Sequence, residues 1–406
     1  MISGIEAKNA VLHAPRTATD GPHLTLPGWT YDNAEFFALE RERLFLASWM
    51  LVCHVAEVAR PGDFATLDLL GERAVVVRGA DGELRAFYNV CRHRAAALLT
   101  GQNGHCASGE LRCPYHGWVY GLDGRLKAVP AEASFAGMDK DEIGLRPLEL
   151  ELFLGFVFIR FRSGGPSVAE RFAPYLPELT AYRTEELVPN GMQWRADFDV
   201  DWKNVMDNYL EGYHVPVGHP GLYRLFGARY ENDVQNGGVS RSVQWLRDTP
   251  STNWSERHYQ KLLPEMGHLP ADRRRAWAYY TLLPSLAFDF YPDMMDFFQI
   301  IPTGPGRCRM RGRGYRRAGH DGRDLRAAQY LNRRINRQVQ REDESLVRSV
   351  QVGLASESYT TGILSEKEIC LRQLRDMVRE ALPVARLEMA PEPGRMRALN
   401  EALAEL

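Results

Sequence analysis

Cysteine is scarce in this chain, which has only six, at positions 53, 91, 106, 113, 308 and 370 of its 406 residues. A secreted disulfide scaffold is short and dense in cysteine, so these scattered thiols predict a reducing, cytoplasmic location. The first residues, MISGIEAKNAVLHAPR, contain no apolar run, and we therefore expect no secretory signal there.

Long hydrophobic runs and an excess of one charge are also missing. The most apolar stretch, near residues 148–159, is interrupted by glutamates and falls short of the roughly 18–20 residues that span a bilayer. The formal net charge is -2, whereas a general nucleic-acid or membrane-surface binder carries a clear basic excess. We therefore predict a protein that binds neither membranes nor nucleic acids. Its length is sufficient for two or three domains.

Two regions of different pattern predict an α+β fold. Short β-rich runs with turn signals such as GADGE fill residues 62–162, including one buried strand in LFLGFVFIRF at 152–161. The polar segment FRSGGPS, at 161–167, predicts a domain boundary. Beyond it, helical patterns alternate with strands near 277–316. The helical runs lie near 168–185, 201–214, 323–355 and 366–382.

Four potential metal ligands lie in two short motifs, Cys91-x-His93 and Cys113-x-x-His116, with nineteen residues between them. Two cysteines and two histidines can hold structural zinc. They can also hold a Rieske-type [2Fe–2S] cluster, in which two cysteines bind one iron and two histidines bind the other. Zinc modules usually pair like ligands, whereas each motif here contributes one Cys and one His, so the pattern favours the cluster.

A second candidate metal site lies in DWKNVMDNYLEGYHVPVGHP, where His214 and His219 are five residues apart. Pro216 cannot continue a helix, so we predict that His214 ends one and that His219 folds back from the following turn. Asn204 and Glu211 belong to a polar stripe that leads to His214. Such a stripe is either a solvated face or a buried functional one, and its ending on two histidines favours the second. One added carboxylate would complete the facial triad of non-haem Fe(II).

The motifs CRHR and CPYHGW resemble those of the Rieske non-haem iron oxygenases, α (oxygenase) subunit, and NYLEGYHVPVGH resembles the iron motif of the same family. The resemblance implies a Rieske [2Fe–2S] cluster on Cys91, His93, Cys113 and His116. It also implies a mononuclear Fe(II) on His214, His219 and a carboxylate from the segment at 340–354. Within that segment we predict Asp343 as the ligand, with Glu342 as the alternative.

The resemblance also implies the domain organisation and the assembly. We expect an N-terminal segment (1–44) that packs on the catalytic domain, an all-β Rieske domain (45–164) and a catalytic domain (165–406). The catalytic domain is expected to be helix-grip-like, with an antiparallel sheet. Members of the family are commonly trimers, in which an acid at the position of Glu211 links a Rieske ligand of a neighbouring subunit to an iron ligand. Asn204 is predicted either to line the iron pocket or to act in packing.

The substrate is predicted from WAYYTLLPSLAFDFYPDMMDFFQIIP at 277–302, which is dense in aromatic residues and holds Asp289, Asp293 and Asp296. Most of these rings are expected to be core residues, but a subset that faces the iron would bind a methylated ammonium group. Glu211 and the segment SEKEICLRQLRDMVREALP resemble oxygenases that demethylate quaternary amines and betaines, such as stachydrine or glycine betaine. The alternative substrate is a small aromatic acid, which would need an Arg or Lys in the pocket.

No GxGxxG fingerprint of a flavin or nicotinamide site occurs in the sequence. The expected electron donor is therefore a separate NAD(P)H-dependent reductase that carries flavin and an iron–sulfur centre, and the expected substrates are O2 and a small molecule. A non-enzymatic electron carrier is the alternative from a different functional class. Three irons per chain would indicate the oxygenase, and two would indicate the carrier.

Overall fold

The computed structural model describes residues 23–319 and 322–405, within which seventeen strands form four antiparallel sheets and ten α-helices are found. The strands are β1 (Met50–His54), β2 (Asp63–Leu69), β3 (Glu72–Arg78), β4 (Leu84–Tyr88), β5 (Asn103–His105), β6 (Glu110–Arg112), β7 (Val119–Gly121), β8 (Leu126–Ala128), β9 (Glu149–Phe153), β10 (Phe156–Arg160), β11 (Leu187–Phe198), β12 (Tyr230–Gln235), β13 (Val239–Trp245), β14 (Ala276–Leu282), β15 (Leu286–Phe290), β16 (Met295–Gly304) and β17 (Arg307–Arg317). The helices are α1 (Ala34–Glu40), α2 (Val168–Phe172), α3 (Leu176–Thr180), α4 (Trp202–Tyr209), α5 (Val215–Gly218), α6 (Pro220–Phe226), α7 (Trp254–Leu262), α8 (Arg323–Leu354), α9 (Ile369–Ala381) and α10 (Met396–Ala404). None of these described helices combines the length and the apolar character needed to cross a bilayer.

The first ten strands form three small sheets, in the orders β4-β3-β2-β5, β6-β7-β8 and β1-β10-β9. An all-β first region followed by a mixed one confirms the predicted α+β class. The single strand predicted at 152–161 is wrong, because this segment is a hairpin in which Leu154 and Gly155 both have positive φ. A Cβ on Gly155 would lie 2.6 Å from Nε2 of the buried His54, so the turn needs a glycine where it passes this side chain.

The remaining seven strands form one sheet in the order β11-β17-β16-β15-β14-β13-β12. Successive side chains of a strand point to opposite faces, which divides the aromatic residues of 277–302 into two sets. One face packs against β1, β9 and β10 through Tyr280, Phe288, Phe290 and Phe297. The opposite face packs against α4, α6 and α8 through Trp277, Tyr279, Tyr291 and Phe298. Only the second set lies on the side of the predicted iron ligands.

Two of the predicted helical regions differ from the observed ones. The region 168–185 contains two short helices, α2 and α3, separated by a 3-10 turn at Ala173–Tyr175. The region 201–214 is helical only to Tyr209, because the Glu211 carboxylate accepts hydrogen bonds from the backbone N–H groups of the next loop instead of allowing another helical turn. The long helix predicted at 323–355 is α8.

The N-terminal segment contacts the second half of the chain from residue 23 onward. Trp29 Nε1 donates a hydrogen bond to the Leu387 carbonyl at 3.0 Å. The Lys203 ammonium, in α4, lies 2.6 Å from an oxygen of Glu40, in α1. These contacts join the segment to residues 203 and 387, and its packing on a catalytic domain stays a prediction. Residues 1–22 lie outside the described residues, and the three domain limits stay predictions.

Arg311 of β17 joins the large sheet to the β-rich first region. Its buried guanidinium donates hydrogen bonds to the carbonyls of Leu51 and Val52, in and beside the centre of β1, and to Gln299 Oε1 at 3.0 Å. Burial lowers the pKa of Arg311 to about 10, so the group stays charged at neutral pH. The large sheet therefore contacts β1 through charge-assisted hydrogen bonds as well as through aromatic packing.

Candidate metal centres

The two motifs with one Cys and one His each form loops of the same backbone geometry. The Cys91 carbonyl accepts a hydrogen bond from the N–H of Ala95, and the Cys113 carbonyl accepts one from the N–H of Gly117, both at 3.1 Å. Ala95 and Gly117 have φ values of +58° and +73°. A left-handed residue four positions after each cysteine thus turns both loops back on themselves. This conformation costs an alanine roughly 1–2 kcal/mol.

The four side chains of these loops converge. The rings of His93 and His116 have centroids 4.5 Å apart, and both Cys91 and Cys113 are buried. His93 Nδ1 is a buried nitrogen without a hydrogen-bond partner among the described residues. Burial raises the pKa of the Cys91 thiol, and the adjacent Cys113 raises it further. An imidazole nitrogen without a partner beside two buried cysteine side chains fits a bound metal centre.

Aromatic residues in β7 and immediately before it lie against this cluster of ligands. Trp118 stacks on His93, with ring centroids 4.9 Å apart. The hydroxyl of Tyr120 lies 3.3 Å from Cys91 Sγ and accepts a hydrogen bond from a loop N–H. Sequence reasoning did not single out Tyr120. The available signal was its place two residues after the CPYHGW motif, on the strand that follows the second loop.

The second candidate centre is formed by two separate segments of the chain, the turn around α5 and the helix α8. His214 and His219 precede and follow the short helix α5, which has Pro216 in its first turn, and their ring centroids are 4.9 Å apart. Asp343, in the middle of α8, places Oδ1 2.8 Å from His219 Nε2 and 3.6 Å from His214 Nε2. One ligand atom from each of the three lies within 4.8 Å of the others. Such a set can hold one metal and leave coordination positions open.

Two further carboxylates contact the outer nitrogens of these rings. Glu211 contacts His214 Nδ1, and Glu342 Oε2 lies 2.8 Å from His219 Nδ1. Asp343 therefore faces both rings, whereas Glu342 touches only the far nitrogen of one, which favours Asp343 as the ligand. Burial lowers the pKa of His214, but Asp343 and Glu211 outweigh this effect and raise it to about 9. The surroundings thus favour positive charge at this position.

Asn204 connects two helices of this centre. Its Nδ2 donates hydrogen bonds to the Val347 carbonyl at 2.9 Å and to Gln351 Oε1 at 3.3 Å. Both acceptors lie on α8, one and two turns after Asp343. Over the described residues, no hydrogen bond joins Asn204 to a candidate ligand. Its contacts therefore favour the packing alternative, and a role in lining the iron pocket stays a prediction.

The two candidate centres do not touch within one chain. In residues 23–319 and 322–405, no hydrogen bond or ring contact links the loops at 91–96 and 113–118 to His214, His219 or Asp343. Electron transfer between them would therefore need either a long path through the chain or a second subunit.

Two family models match the chain. The model described as the Rieske [2Fe-2S] domain matches residues 48–145, and the model described as the ring hydroxylating alpha subunit (catalytic domain) matches residues 186–383. The first region contains both Cys/His loops, and the second contains His214, His219 and Asp343. The two predicted cofactors, a Rieske [2Fe–2S] cluster and a mononuclear iron, are confirmed by this pair of domains.

Curated relatives act on quaternary amines according to their names. The carnitine monooxygenase oxygenase subunit of Escherichia coli (strain K12) is 39% identical over 204 residues, which are 49% of this chain and 53% of the relative. The matched part thus spans about half the length of these carnitine monooxygenase subunits. The chloroplastic choline monooxygenase of Beta vulgaris is 29% identical over 350 residues, covering 84% of this chain and 72% of the relative.

Solved structures of other proteins have a similar fold. A quaternary ammonium Rieske monooxygenase in complex with an inhibitor superposes with a TM-score of 0.76 at 25% identity, over 89% of this chain and 96% of the other. Naphthalene 1,2-dioxygenase from Rhodococcus sp. superposes with a TM-score of 0.70 at 20% identity, over 90% of this chain and 95% of the other. The second likeness supports the fold alone.

Proposed function

The chain carries both domains of a Rieske non-haem iron oxygenase α subunit, and we propose that it is the oxygenase component of an enzyme that oxidises a quaternary amine with O2. The electrons would come from a separate NAD(P)H-dependent reductase with flavin and an iron–sulfur centre. The observation that carries the proposal is that one chain contains both the Cys/His loops and the group of His214, His219 and Asp343. A non-enzymatic carrier would have no use for the second group.

The ligand assignments follow from the donor atoms. Cys91 and Cys113 would bind one iron of the cluster, and His93 and His116 the other. The mononuclear iron would be held by His214 and His219, which flank α5, and by Asp343. When bound, the cluster supplies single electrons and the mononuclear iron supplies the position at which O2 reacts.

The residues behind the iron ligands have an orienting role in this proposal. Glu342 and Glu211 each hold the outer nitrogen of one ring, so that both Nε2 atoms are aimed at Asp343. Outer partners of this kind hold histidine ligands in one tautomer and orientation and increase their basicity. Pro216 keeps the intervening turn short, which brings His219 back to His214.

The assembly that would connect the two centres is a homotrimer. Tyr115, next to His116, is 55% exposed, and Tyr213 and Val217, which lie on either side of His214, are 63% and 87% exposed. Apolar side chains exposed beside both centres suit burial between subunits. Glu211, which is in contact with His214, would then lie between an iron ligand of one subunit and a cluster ligand of the next. The predicted cytoplasmic location would keep the six free cysteines reduced.

The substrate class follows from the relatives and from the sheet face beside the iron ligands. We propose N-demethylation of a quaternary amine or betaine. A hydroxylated N-methyl carbon collapses to formaldehyde and the shorter amine. The alternative is hydroxylation of a small aromatic acid, whose carboxylate would need a cationic side chain nearby. The charged residues of β14, β15 and β16 on this face are instead the carboxylates Asp289 and Asp296, which argues for a cation.

The test is substrate-dependent O2 uptake by the iron-loaded protein with a surrogate reductase. Quaternary amines and betaines are compared with aromatic acids, and formaldehyde is assayed in parallel. We expect three irons per chain, and uptake with formaldehyde release only for methylated ammonium compounds. The Asp343→Asn variant is the control, since it should keep the cluster but give no uptake. Uptake with aromatic acids alone would contradict the substrate class, and two irons per wild-type chain would contradict the enzyme.

A further inference from the structure

Two aspartates face each other across neighbouring strands on the iron side of the large sheet. Asp289 of β15 and Asp296 of β16 are directly paired in the antiparallel register. Side chains in such a pair have Cβ atoms about 4.5–5.5 Å apart, and like charges at this distance repel each other. Both residues are buried, Asp296 being only 6% exposed. A folded protein rarely keeps two buried acids side by side without a cation.

No cation accompanies this pair within the described part of the chain. Asp289 accepts hydrogen bonds from the Tyr209 hydroxyl at 2.6 Å and, more weakly, from the Tyr291 hydroxyl at 3.5 Å. Asp296 has no hydrogen bond to any described residue. Burial raises the pKa of both carboxyls, and their neighbouring aspartates, including Asp293, raise that of Asp296 further, while no Lys or Arg lowers either. The empty pair therefore tends to keep its protons, and a cation bound beside it would favour the charged carboxylates.

Aromatic rings surround the pair and connect it to the iron ligands. Tyr209, whose hydroxyl contacts Asp289, packs edge-on against Phe298 with ring centroids 4.6 Å apart and lies 6.2 Å from the ring of Tyr279. Tyr279 packs in the same cluster as Val215, the residue that follows the ligand His214. Carboxylates and aromatic faces together are the environment that binds alkylated ammonium ions.

We propose that Asp289 and Asp296 bind the cationic group of a substrate that has no carboxylate of its own, such as a quaternary ammonium alcohol or a tetraalkylammonium ion. This inference rests on the proposed function, and it narrows the substrate to those quaternary amines that carry no carboxylate. A betaine would bring its own carboxylate into a region that already holds two unbalanced acids, and the repulsion would offset the attraction of its ammonium group. A cation that has no carboxylate of its own brings only positive charge to the two aspartates.

Equilibrium binding to the oxidised, iron-loaded protein tests the charge preference apart from turnover. Isothermal titration compares choline and tetramethylammonium with glycine betaine and carnitine, and with 3,3-dimethylbutan-1-ol, an uncharged molecule shaped like choline. We expect choline and tetramethylammonium to bind at least tenfold more tightly than the betaines and the uncharged alcohol. Equal or tighter binding of glycine betaine or carnitine would overturn the inference.

Variants of the pair identify the binding residues. Asp296→Asn should weaken choline binding at least tenfold, whereas Asp248→Asn, an exposed aspartate, should leave it unchanged. Because Asp296→Asn also removes a repulsion, its thermal midpoint should stay the same or rise. An unchanged affinity for choline would refute the assignment. A fall of several degrees in the midpoint would instead indicate a structural role for the carboxylate, and would also refute it.

The O2-uptake assay separates this inference from the proposed function. If choline binds in an Asp296-dependent way but no quaternary amine supports uptake, the proposed function fails and the cation site stands. If betaines support uptake while choline and tetramethylammonium neither bind nor react, the proposed function stands and the cation site fails.

Discussion

Replacing Lys203 with methionine should strongly lower the free energy of unfolding, because Lys203 neutralises two buried carboxylates. Lys203 lies in the first turn of α4, the helix that leads to Glu211 and the iron ligands. Its ammonium lies 2.6 Å from Glu40 and 2.7 Å from Asp201, and all three side chains are fully buried. The aromatic rings of Tyr31, Phe36 and Trp202 lie within 5.5 Å of the nitrogen and exclude water.

The expected loss of stability follows from what the substitution leaves behind. Removing one member of a buried ion pair costs about 3–5 kcal/mol, because the remaining charge stays buried without a partner. Here two carboxylates remain, so we expect a loss near 5 kcal/mol. At about 2–4 °C per kcal/mol for a domain of this size, the thermal midpoint should fall by roughly 10 °C or more.

The loss of stability in the Lys203→Met variant should depend on pH, and its direction follows from the pKa of Glu40. Burial already raises the pKa of Glu40 to about 7, and Lys203 is the strongest of the groups that lower it. Without Lys203 the folded pKa rises further. A carboxyl with a raised pKa in the folded state prefers to be protonated there. It therefore stabilises the fold fully at pH values below its unfolded pKa, near 4.3, and this contribution is lost as the pH rises through its folded pKa. The variant should therefore lose little stability at pH 5 and most at pH 8.

Urea unfolding of the iron-loaded protein, followed at pH 5 and pH 8, measures both quantities. The matched control is Arg348→Met, which breaks an exposed pair with Glu344 at 2.8 Å and should cost less than about 0.5 kcal/mol. Adding Glu40→Gln to the Lys203 variant should recover part of the loss at pH 8. A loss below about 1 kcal/mol, or one that does not change with pH, would refute the reasoning.

Four other variants test the mononuclear iron centre, its link to the cluster and the contact between the halves of the chain. Asp343→Asn should lower the iron content from three to two per chain with an unchanged cluster spectrum, and retention of the third iron would contradict its role as ligand. Glu342→Gln should keep the ligand set but weaken iron binding by about 10–100-fold, measured by competition with a chelator. Glu211→Ala should keep three irons and nearly abolish turnover, and wild-type product formation would exclude a linking role. Arg311→Met should cost about 1–3 kcal/mol, because the Leu51 and Val52 carbonyls lose a buried donor, with no change in iron content.

The sequence alone was sufficient for the features that depend on a few neighbouring residues. The spacing of Cys91 and His93, and of Cys113 and His116, indicated the cluster, because each pair sits in one tight loop whose geometry is local. Pro216 likewise predicted the turn that returns His219 to His214. The α+β class followed from the change of hydrophobic period after residue 167, since periodicity reports which side of an element is buried.

The tertiary structure alone decided which distant groups meet. Asp343 and Glu342 are adjacent in the sequence, and only the rotation of α8 against α5 places one between the two histidines and the other behind His219. The same holds for the aromatic segment at 277–302, where alternation along the strands sends Phe288 to the core and Asp289 to the iron side. Long-range packing fixes these orientations, because a shift of one residue in strand register would exchange the two faces.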